Sequence, residues 1–527
     1  MKRALLVAVA PIVLLAQTPQ NTGSVSGRVI DADSGAGISD FPVHEKVRTD
    51  GQGYFRITGV KPGRFEIRLF GDRVWPELSS TLVNVIAGQE VTGVQIPIRL
   101  DGEISGRVFD QDKDPISGVP VLAIGREYYA GALRYFTENG TTTNDRGEFV
   151  LRGVRAGRSL LLLVEKRKDY HQAISEAPAD IALRRPAYRA TYYPGADSLD
   201  GATVVTLRSG EHRPGMDIQV LRSPGFCIDG TLMLEGSPAS FGFKVTDERT
   251  SSANMVPGSA SSGPIGVSTG EDGKFRVCDL YPGQFRIAAL RHGRTGTPEI
   301  FGAASVNIGK EDVHNLRVDA GPAVMVPVEV AWEGNPPDGA SGAQFMLYAP
   351  PVTNDAMQTG STPRNPVPGS FTLPVLRTLE YALRPGVSLP GSYVKDIVYG
   401  PVSILHQPFR VSEGTMRVTI ASDAGSIKGT APAGAQVLIL PDAVSGEAEL
   451  AEAMSTDQAD YDGTFKASRL RPGKYRVLAT TEIVDRTPEC IARIWQARTR
   501  GQEVEVGPGA TASVALTEAV ALRAAAR

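Results

Sequence analysis

A short alternating unit with fixed turn residues recurs along this chain. Its first copy, residues 49–71, reads TDGQGYFRITGVKPGRFEIRLFG, with apolar and charged residues alternating on both sides of Pro62-Gly63. A period of two places apolar side chains on one face of a strand, and Pro-Gly supplies the φ angles of a tight turn. The unit therefore predicts a half-buried antiparallel hairpin. Further copies lie at residues 143–164, 269–287 and 461–477.

Two other patterns flank this central unit. One places a glycine inside an alternating strand, which indicates a bulge or the close approach of another backbone. It occurs at residues 24–29 (SVSGRV), 103–108 (EISGRV), 226–232 (FCIDGTL) and 426–430 (SIKGT). The other is strand, glycine turn, strand, which predicts a closing hairpin. It occurs at residues 83–100, 205–221, 306–318, 409–420 and 504–516.

These patterns divide the chain into modules. At 527 residues it is too long for a single hydrophobic core, and its many short strands between turn signals predict an all-β tandem array. Module four lacks the central unit and is assigned by its position. The predicted modules one to five span residues 24–101, 102–222, 223–320, 321–424 and 425–520.

The N-terminus has the features of a signal peptide. Lys2 and Arg3 precede an apolar run, residues 4–16, that is too short for an ordinary transmembrane helix. Cleavage after Ala16 would leave Gln17 as the first residue of the mature chain. We therefore expect residues 1–16 to be removed. The mature chain is then expected in the periplasm, at the cell surface or in the medium, with no membrane span.

Charge and cysteine content narrow the classes of partner and compartment. The net charge is −3 and both signs are interspersed, which disfavours nucleic acid as a partner. Three cysteines suit an oxidising compartment. Cys227 and Cys278 fall on two predicted strands of one module, either as a disulfide or as two free buried thiols. Cys490 is expected to be a small buried hydrophobe.

Insertions distinguish modules two and five. In module two, residues 126–139 precede the central unit and residues 166–194 follow it. Residues 160–164 are apolar at every position, so we expect part of 166–194 to cover the outer face of that strand. In module five, residues 488–501 space Ile491 and Ile494 as one face of a short helix that ends at Gly501.

The order SGRV, Pro-x-Val and DG…F…PG resembles the carboxypeptidase regulatory-like domain. SGRV and a Pro-x-Val or similar strand occur in modules one and two, with PVH at 42–44 and PVL at 120–122, and Ala156-Gly157 replaces Pro-Gly in module two. The resemblance implies a transthyretin-like, carbohydrate-binding-like fold: a tandem array of Greek-key seven-stranded β-sandwich modules with small helical insertions. It also implies a secreted bacterial protein. The shared residues specify shape and carry no chemistry by themselves.

The sequence shows no catalytic set. The six histidines are scattered, and no HExxH motif is present. Ser268 is the centre of a GVSTG string, but a nucleophile elbow needs a following helix, and a strand unit follows here. Asp110, Asp112 and Asp114 lack the glycine and glutamate of a calcium loop, so a solvated turn is expected. We therefore expect no metal, no cofactor and no enzyme.

Aromatic residues of the insertions are the candidate binding surface. Flat rings stack on sugar faces, although clustered rings more often pack against their own protein. The candidates are Tyr128, Tyr129, Tyr135, Tyr192, Tyr193 and Trp75.

Three functions follow from these patterns. The first is a non-catalytic extracytoplasmic scaffold or binding protein. The second is carbohydrate binding through module two, and the third is an accessory subunit of an enzyme. A polysaccharide or a cell-surface protein is the expected class of partner.

Overall fold

The computed structural model describes residues 22–44, 46–69, 80–129, 131–164, 177–240, 242–247, 265–292, 298–349, 365–375, 377 and 380–522. The predicted signal peptide, residues 1–16, and Trp75 lie outside these ranges. None of the helices within these ranges is both long and apolar enough to cross a membrane.

Strands dominate every part of the chain that is described, which confirms the predicted all-β array with small helical insertions. The module names are kept for successive groups of strands, and their boundaries stay a prediction. Module one contains β1 (Gly23–Asp31), β2 (Pro42–Val43), β3 (Val47–Arg48), β4 (Tyr54–Val60), β5 (Gly63–Arg68), β6 (Ser80–Val85) and β7 (Glu90–Ile98). Module two contains β8 (Gly102–Phe109), β9 (Pro120–Tyr129), β10 (Ala132–Thr142), β11 (Glu148–Val154), β12 (Ser159–Val164), β13 (Pro186–Tyr188), β14 (Thr191–Tyr192), β15 (Val205–Thr206), β16 (His212–Arg213) and β17 (Ile218–Gln219).

The remaining modules follow in the same manner. Module three contains β18 (Arg222–Pro224), β19 (Phe226–Leu234), β20 (Ser237–Pro238), β21 (Gly242–Asp247), β22 (Ile265–Ser268), β23 (Lys274–Leu280), β24 (Gly283–His292), β25 (Pro298–Ile308) and β26 (Val313–Pro322). Module four contains β27 (Val324–Trp332), β28 (Gln344–Tyr348), β29 (Asn365–Pro366), β30 (Gly369–Val375), β31 (Glu380–Tyr381), β32 (Arg384–Val387), β33 (Tyr393–Tyr399), β34 (Val402–Ser403), β35 (Phe409–Arg410) and β36 (Met416–Ala421). Module five contains β37 (Gly425–Thr430), β38 (Gln436–Pro441), α1 (Glu447–Ala453), β39 (Ser455–Gln458), β40 (Thr464–Leu470), β41 (Gly473–Thr480), α2 (Pro488–Ala497), β42 (Gln502–Val506) and β43 (Thr511–Ala515).

Each group of strands encloses its own hydrophobic core, which lies between separate sheets in modules one, two, four and five and is lined by one continuous eight-stranded sheet in module three. In module one, Val25 and Val29 of β1 share a core with Ile67 of β5, and none of the three side chains is exposed to solvent. β1 and β5 belong to different sheets, so these residues fill the space between the layers. Their polar neighbours in sequence point outward, as a period of two requires.

The central unit is an arch between two sheets, and the predicted hairpin is wrong on this point. β4 pairs antiparallel with β1, whereas β5 pairs with β6, so the turn at Pro62-Gly63 carries the chain from one sheet to the other. Alternation shows which face of a strand is buried, and it does not show which strand lies beside it. The units β11–β12, β23–β24 and β40–β41 likewise take different partners on their two strands.

A β-bulge explains how the chain leaves the first sheet. Gly23 lies opposite Val60 and Ser24 lies opposite Thr58, which leaves Gly59 as an extra residue at φ 74°. A bulge of this kind bends its strand away from the ladder. The equivalent residue also has a positive φ in the other three copies, where it is Gly153, Asp279 or Arg469.

The glycine of the first strand is required by a close backbone approach, as the sequence indicated. A Cβ added to Gly27 would lie 2.2 Å from the carbonyl oxygen of Val94 on β7 and 2.8 Å from the Phe55 ring on β4. Phe55 is also the direct cross-strand neighbour of Gly27. The equivalent glycines Gly106, Gly230 and Gly429 would meet a backbone oxygen at 2.3, 2.1 and 1.9 Å.

The predicted closing hairpins are also wrong in their pairing. In module one, β6 pairs with β5, while β7 runs parallel to β1 in the other sheet. A parallel partner requires a crossover, and the glycine turn between the two strands provides it. The last strands of modules two, four and five also run parallel to the first strand of their module, and in module three β26 runs parallel to β19. Only in module three, among the described pairings, do the two closing strands β25 and β26 also pair with each other.

The long insertion of module two covers the outer face of β12, as predicted, although residues 165–176 of that insertion lie outside the described ranges. Tyr192 is fully buried and packs against Leu161 and Leu163. Tyr193 donates a backbone hydrogen bond to the carbonyl oxygen of Leu162 at 2.9 Å. Leu160 and Leu162 face the core instead. Both faces of β12 are therefore buried.

The predicted helix in module five is confirmed as α2. The side chain of Thr487 caps its first turn by accepting a hydrogen bond from the backbone N–H of Cys490 at 3.3 Å, and Ile491 and Ile494 are buried. A second helix, α1, was not predicted. Its buried Leu450 packs in the same cluster as α2.

The three cysteines occupy two environments. Cys227 of β19 and Cys278 of β23 form a disulfide between adjacent strands. Cys490 is a free thiol buried on α2, and its burial raises the thiol pKa to about 11.

Candidate functional site

A projecting hairpin in module two, residues 126–129 of β9 and 132–138 of β10, is the candidate site. β9 and β10 pair along their whole length and extend beyond the sheet that β9 forms with β12. The backbone N–H of Tyr128 donates a hydrogen bond to the carbonyl oxygen of Arg486 in module five at 2.8 Å. The Tyr128 side chain is partly buried against the cluster formed by α1 and α2. This end of the hairpin therefore contacts module five.

The other side of the hairpin contacts module four. The guanidinium carbon of Arg384 lies 4.0 Å from the ring centroid of Tyr129, a cation–π contact. At the turn, a Cβ added to Gly131 would lie 2.7 Å from the carbonyl oxygen of His406, so only a glycine fits against that backbone. Burial of His406 lowers its pKa, as expected where water is excluded from the imidazole.

A buried arginine lies beneath the same turn. The Arg134 side chain on β10 is almost completely buried, and burial lowers its pKa to about 10, although the nearby Tyr348, Tyr129 and Glu452 favour its charged form. Burial also raises the pKa of the Tyr348 hydroxyl. Burial is the first cause of both shifts, which agrees with the low solvent exposure of Arg134 at this junction of modules two, four and five. We call it the three-module junction.

An ionic cluster connects the base of the hairpin to module five. The Arg158 guanidinium lies 2.8 Å from Glu127, 3.1 Å from Glu138 and 4.0 Å from Asp485, the last of which precedes α2. Arg126 forms a second ion pair across the modules with Glu489. Because charges of both signs are present, the cluster partly compensates the cost of their burial.

The environment of this cluster shifts the pKa of two members. Burial raises the pKa of Glu138, and the neighbouring Arg158 and Arg155 oppose that shift only in part. Burial would lower the pKa of Arg158, but the carboxylates of Glu138, Asp485 and Glu127 outweigh it and raise the pKa. Arg158 therefore stays charged, whereas the charge of Glu138 depends on pH.

The candidate aromatic residues do not form one surface. Tyr128 and Tyr129 lie together at the hairpin end, facing modules five and four. Tyr135 packs with the fully buried Tyr192 on the outer face of β12. Tyr193 packs against the core on the other side of that sheet. The sixth candidate, Trp75, lies outside the described residues. The rings that are described thus pack against the protein itself.

The candidate polar motifs have structural roles. Within the described part of the chain, no group of three or more His, Cys, Asp or Glu residues is arranged to hold a metal. The Asp110 side chain is fully buried, where a solvated turn was predicted. It accepts hydrogen bonds from the backbone N–H groups of Asp112 and Asp114 at 3.0 Å each, and it lies 3.5 Å from Arg222. Ser268 ends β22 and a turn and β23 follow, so no helix completes an elbow there.

The ionic cluster was missed at the level of the sequence. Arg158 and Asp485 are more than three hundred positions apart, and charged residues usually indicate solvent-exposed positions. The sequence contained a weak signal for a buried charge, because Arg158 directly precedes the apolar strand β12, where the chain is expected to be buried. A charge at such a position needs a partner.

Comparisons with known proteins give remote likenesses alone. No family model matches the chain, and no curated protein matches it. A streptococcal ancillary pilin is 14% identical with a TM-score of 0.19, over 56% of this chain and 98% of that one. BcpA, the major pilin subunit of Bacillus cereus, is 11% identical with a TM-score of 0.15, over 57% and 100%. The Bacillus anthracis TIE protein is 12% identical with a TM-score of 0.14, over 80% and 74%. At these values the likeness carries no argument about function.

Proposed function

We propose that this chain is a non-catalytic extracytoplasmic scaffold whose β-sandwich modules are held together as one body. The observation that carries this proposal is the projecting hairpin. Its backbone bonds to module five, its Tyr129 ring stacks under Arg384 of module four, and its base joins the Arg158 cluster. A loop that binds an external ligand leaves its rings and charges open to that ligand, whereas this one uses them inside the molecule.

Contacts between neighbouring modules support the same function. Ser209 of module two accepts a hydrogen bond from the backbone N–H of Leu100 at 2.9 Å. Arg184 of module two makes a bidentate pair with Asp312 of module three at 2.6 and 3.1 Å. Ala288 of module three packs into the core of module four. Fixed contacts of this kind restrict bending between domains.

The modules themselves are proposed to have the carboxypeptidase regulatory-like fold. The recurring arch, its bulge and the glycine–phenylalanine pair support this relationship in modules one, two, three and five. The proposed boundaries are residues 24–101, 102–222, 223–320, 321–424 and 425–520. Expression of single modules cut at these boundaries tests them, because a module with the correct boundaries should fold by itself.

Small-angle X-ray scattering of the full chain tests the proposal. The double variant Arg126→Ala/Tyr128→Ala removes an ion pair and a ring from the hairpin contact with module five. We expect a compact wild type and a larger radius of gyration for this variant. Tyr54→Ala is the matched control, because Tyr54 is 55% exposed on module one and should leave the radius unchanged.

Carbohydrate binding through the aromatic insertions is the alternative that a second measurement separates. Pull-down on a panel of polysaccharides should retain neither the wild type nor the Tyr129→Ala variant. Retention of the wild type that Tyr129→Ala abolishes, with scattering unchanged, would overturn the scaffold in favour of a sugar-binding surface. Turnover of any substrate would overturn it in favour of an enzyme. Activation of a co-purifying enzyme would favour an accessory subunit.

A further inference from the structure

A turn of module five, residues 460–464, contacts module one, although the two are far apart in sequence. The turn begins at Asp460, whose backbone N–H donates to the carbonyl oxygen of Thr464 at 2.7 Å, and Gly463 donates to the oxygen of Asp460 at 2.8 Å. These bonds form the turn without any help from the side chain of its second residue, Tyr461. That side chain is therefore available for another purpose.

The same turn occurs in three other modules without an aromatic residue. Its second residue is Gly51 in module one, Asp145 in module two and Glu271 in module three, and all three are exposed. Tyr461 is partly buried instead, and it packs against the hydrophobic core of module one. The turn does not require a ring at this position, so the ring serves the contact between modules.

The surface of module one that receives Tyr461 has matching acceptors. The carbonyl oxygen of Leu82 on β6 accepts from the Tyr461 backbone N–H at 3.1 Å. The carbonyl oxygen of Thr92 on β7 accepts from the Tyr461 hydroxyl at 3.0 Å. Arg64 pairs with Asp460 at 3.0 Å. Among the described pairings, β6 and β7 are edge strands of the two different sheets, so the ring lies at the opening between the layers.

Module one also leaves space for the hydroxyl. Gly93 lies beside Thr92 at φ 75°, and a Cβ there would lie 3.1 Å from the Tyr461 hydroxyl oxygen. A larger residue would crowd the hydroxyl.

We infer that the edge of module one formed by Leu82, Thr92 and Arg64 is a binding slot for a carboxylate followed by a phenolic ring, and that the chain fills it with its own Asp460-Tyr461. The carbonyl oxygens of Leu82 and Thr92 accept hydrogen bonds from the backbone N–H and the hydroxyl of the phenolic residue. The Arg64 guanidinium pairs with the carboxylate that precedes it. When Asp460-Tyr461 occupies the slot, module five is connected directly to module one, so the modules form a closed ring of contacts. This inference deepens the proposed scaffold and rests on it, but it concerns a contact separate from the three-module junction.

Two distances measured by electron paramagnetic resonance in the full chain test this inference. One label pair, at Lys61→Cys and Lys466→Cys, reports modules one and five. The other, at Asp112→Cys and Lys466→Cys, reports modules two and five. All labelled proteins carry Cys490→Ala, so that the introduced thiols alone react.

Tyr461→Ala should broaden the first distance distribution and leave the second narrow. Loss of one packed ring and one side-chain hydrogen bond should raise the open fraction about tenfold. Gly93→Ala should act in the same direction, because it crowds the slot from module one. Gly88→Ala is its matched control, since Gly88 also has a positive φ, in the turn that precedes β7, but has no atom within 4 Å of an added Cβ.

A first distribution that stays narrow in Tyr461→Ala would overturn the slot, and so would equal effects of Gly93→Ala and Gly88→Ala. If the wild-type distance distribution is broad between modules one and five but narrow between modules two and five, the slot is overturned and the scaffold remains intact. If the wild-type distance distributions of both label pairs are broad, the slot and the proposed scaffold are both overturned. Circular dichroism on each variant confirms that the sheets remain folded.

Discussion

At the scale of the residue, a glycine and a phenylalanine act as one structural pair in four modules. Gly27 lies beneath the Phe55 ring and against the backbone of β7, and the same pairing recurs at Gly230 and Phe275. The phenylalanine ring packs over the glycine backbone, which has no side chain to cover it. Because the glycine has no Cβ, the parallel last strand of the module can approach closely. Strand β27 of module four has no glycine and still pairs parallel with β36, so the glycine–phenylalanine pair is confined to the other four modules.

Gly429→Ala should destabilise module five. An added Cβ would lie 1.9 Å from the carbonyl oxygen of Val514, so β37 and β43 must separate. We expect the free energy of unfolding to fall by about 1–3 kcal/mol, as for other overpacked sites. Urea denaturation measures this change. Gly507→Ala in the same module is the control, because its nearest neighbour would lie at an ordinary 3.5 Å. Equal stability of the two variants would contradict the close approach.

Glu138 should make the stability of the Arg158 cluster depend on pH. Burial raises its pKa above the ordinary value of 4.5, so the folded state binds the proton more tightly than the unfolded chain. The stabilisation is full below the unfolded pKa and is lost as pH rises through the folded pKa. Glu138→Gln should remove this component while Arg158 keeps Glu127 and Asp485 as partners.

Thermal denaturation of both proteins between pH 4.5 and 7 checks this expectation. The stability of the wild type relative to Glu138→Gln should increase as the pH falls. Glu90→Gln is the control, since Glu90 lies in an exposed ion pair with Arg56. A difference between wild type and Glu138→Gln that does not change with pH would contradict the raised pKa.

At the scale of the element, the arch is the feature that the sequence predicted only in part. The strands and turns followed from alternation and from Pro62-Gly63, and the α2 helix followed from the spacing of Ile491 and Ile494. The partner of each strand did not follow, because a hairpin and an arch bury the same alternating faces. α1 was missed since its seven residues are too few to show a helical period.

The disulfide should stabilise module three through the loop that it closes. Cys227 and Cys278 are 51 positions apart, for which the chain-entropy model gives a stabilisation of about 4 kcal/mol. Cys227→Ser/Cys278→Ser should therefore lower the melting temperature of the protein, and a reductant should lower that of the wild type to a similar value. Cys490→Ala should retain the response to reductant. A wild type that melts at the same temperature with and without reductant would contradict this role.

At the scale of the whole molecule, contacts between distant modules had no signal in the sequence. Tyr128 was recognised as an aromatic insertion, but its partner Arg486 lies in another module. Pattern and propensity describe local structure, whereas docking of modules depends on surfaces formed only after each core has folded. The predicted binding residues of module two are therefore found in contacts within the protein.

Hydrogen exchange should detect this docking in a chain truncated after residue 424. The amide of Tyr128 donates to Arg486 in the full chain, so removal of module five should speed its exchange by at least about tenfold. The amide of Ile124 is the internal control, because Ile124 lies between β10 and β12 within module two. Unchanged exchange at Tyr128 would contradict the docked hairpin.

The return of Tyr461 to the edge of module one has a consequence for how the protein melts. In an open string of domains, each unit melts at its own temperature and calorimetry resolves several peaks. In a closed circuit, the loss of one unit removes contacts from two sides of the assembly at once and weakens the others. The modules should therefore unfold in a single cooperative heat absorption, which separates into individual peaks when Tyr461 is replaced by alanine.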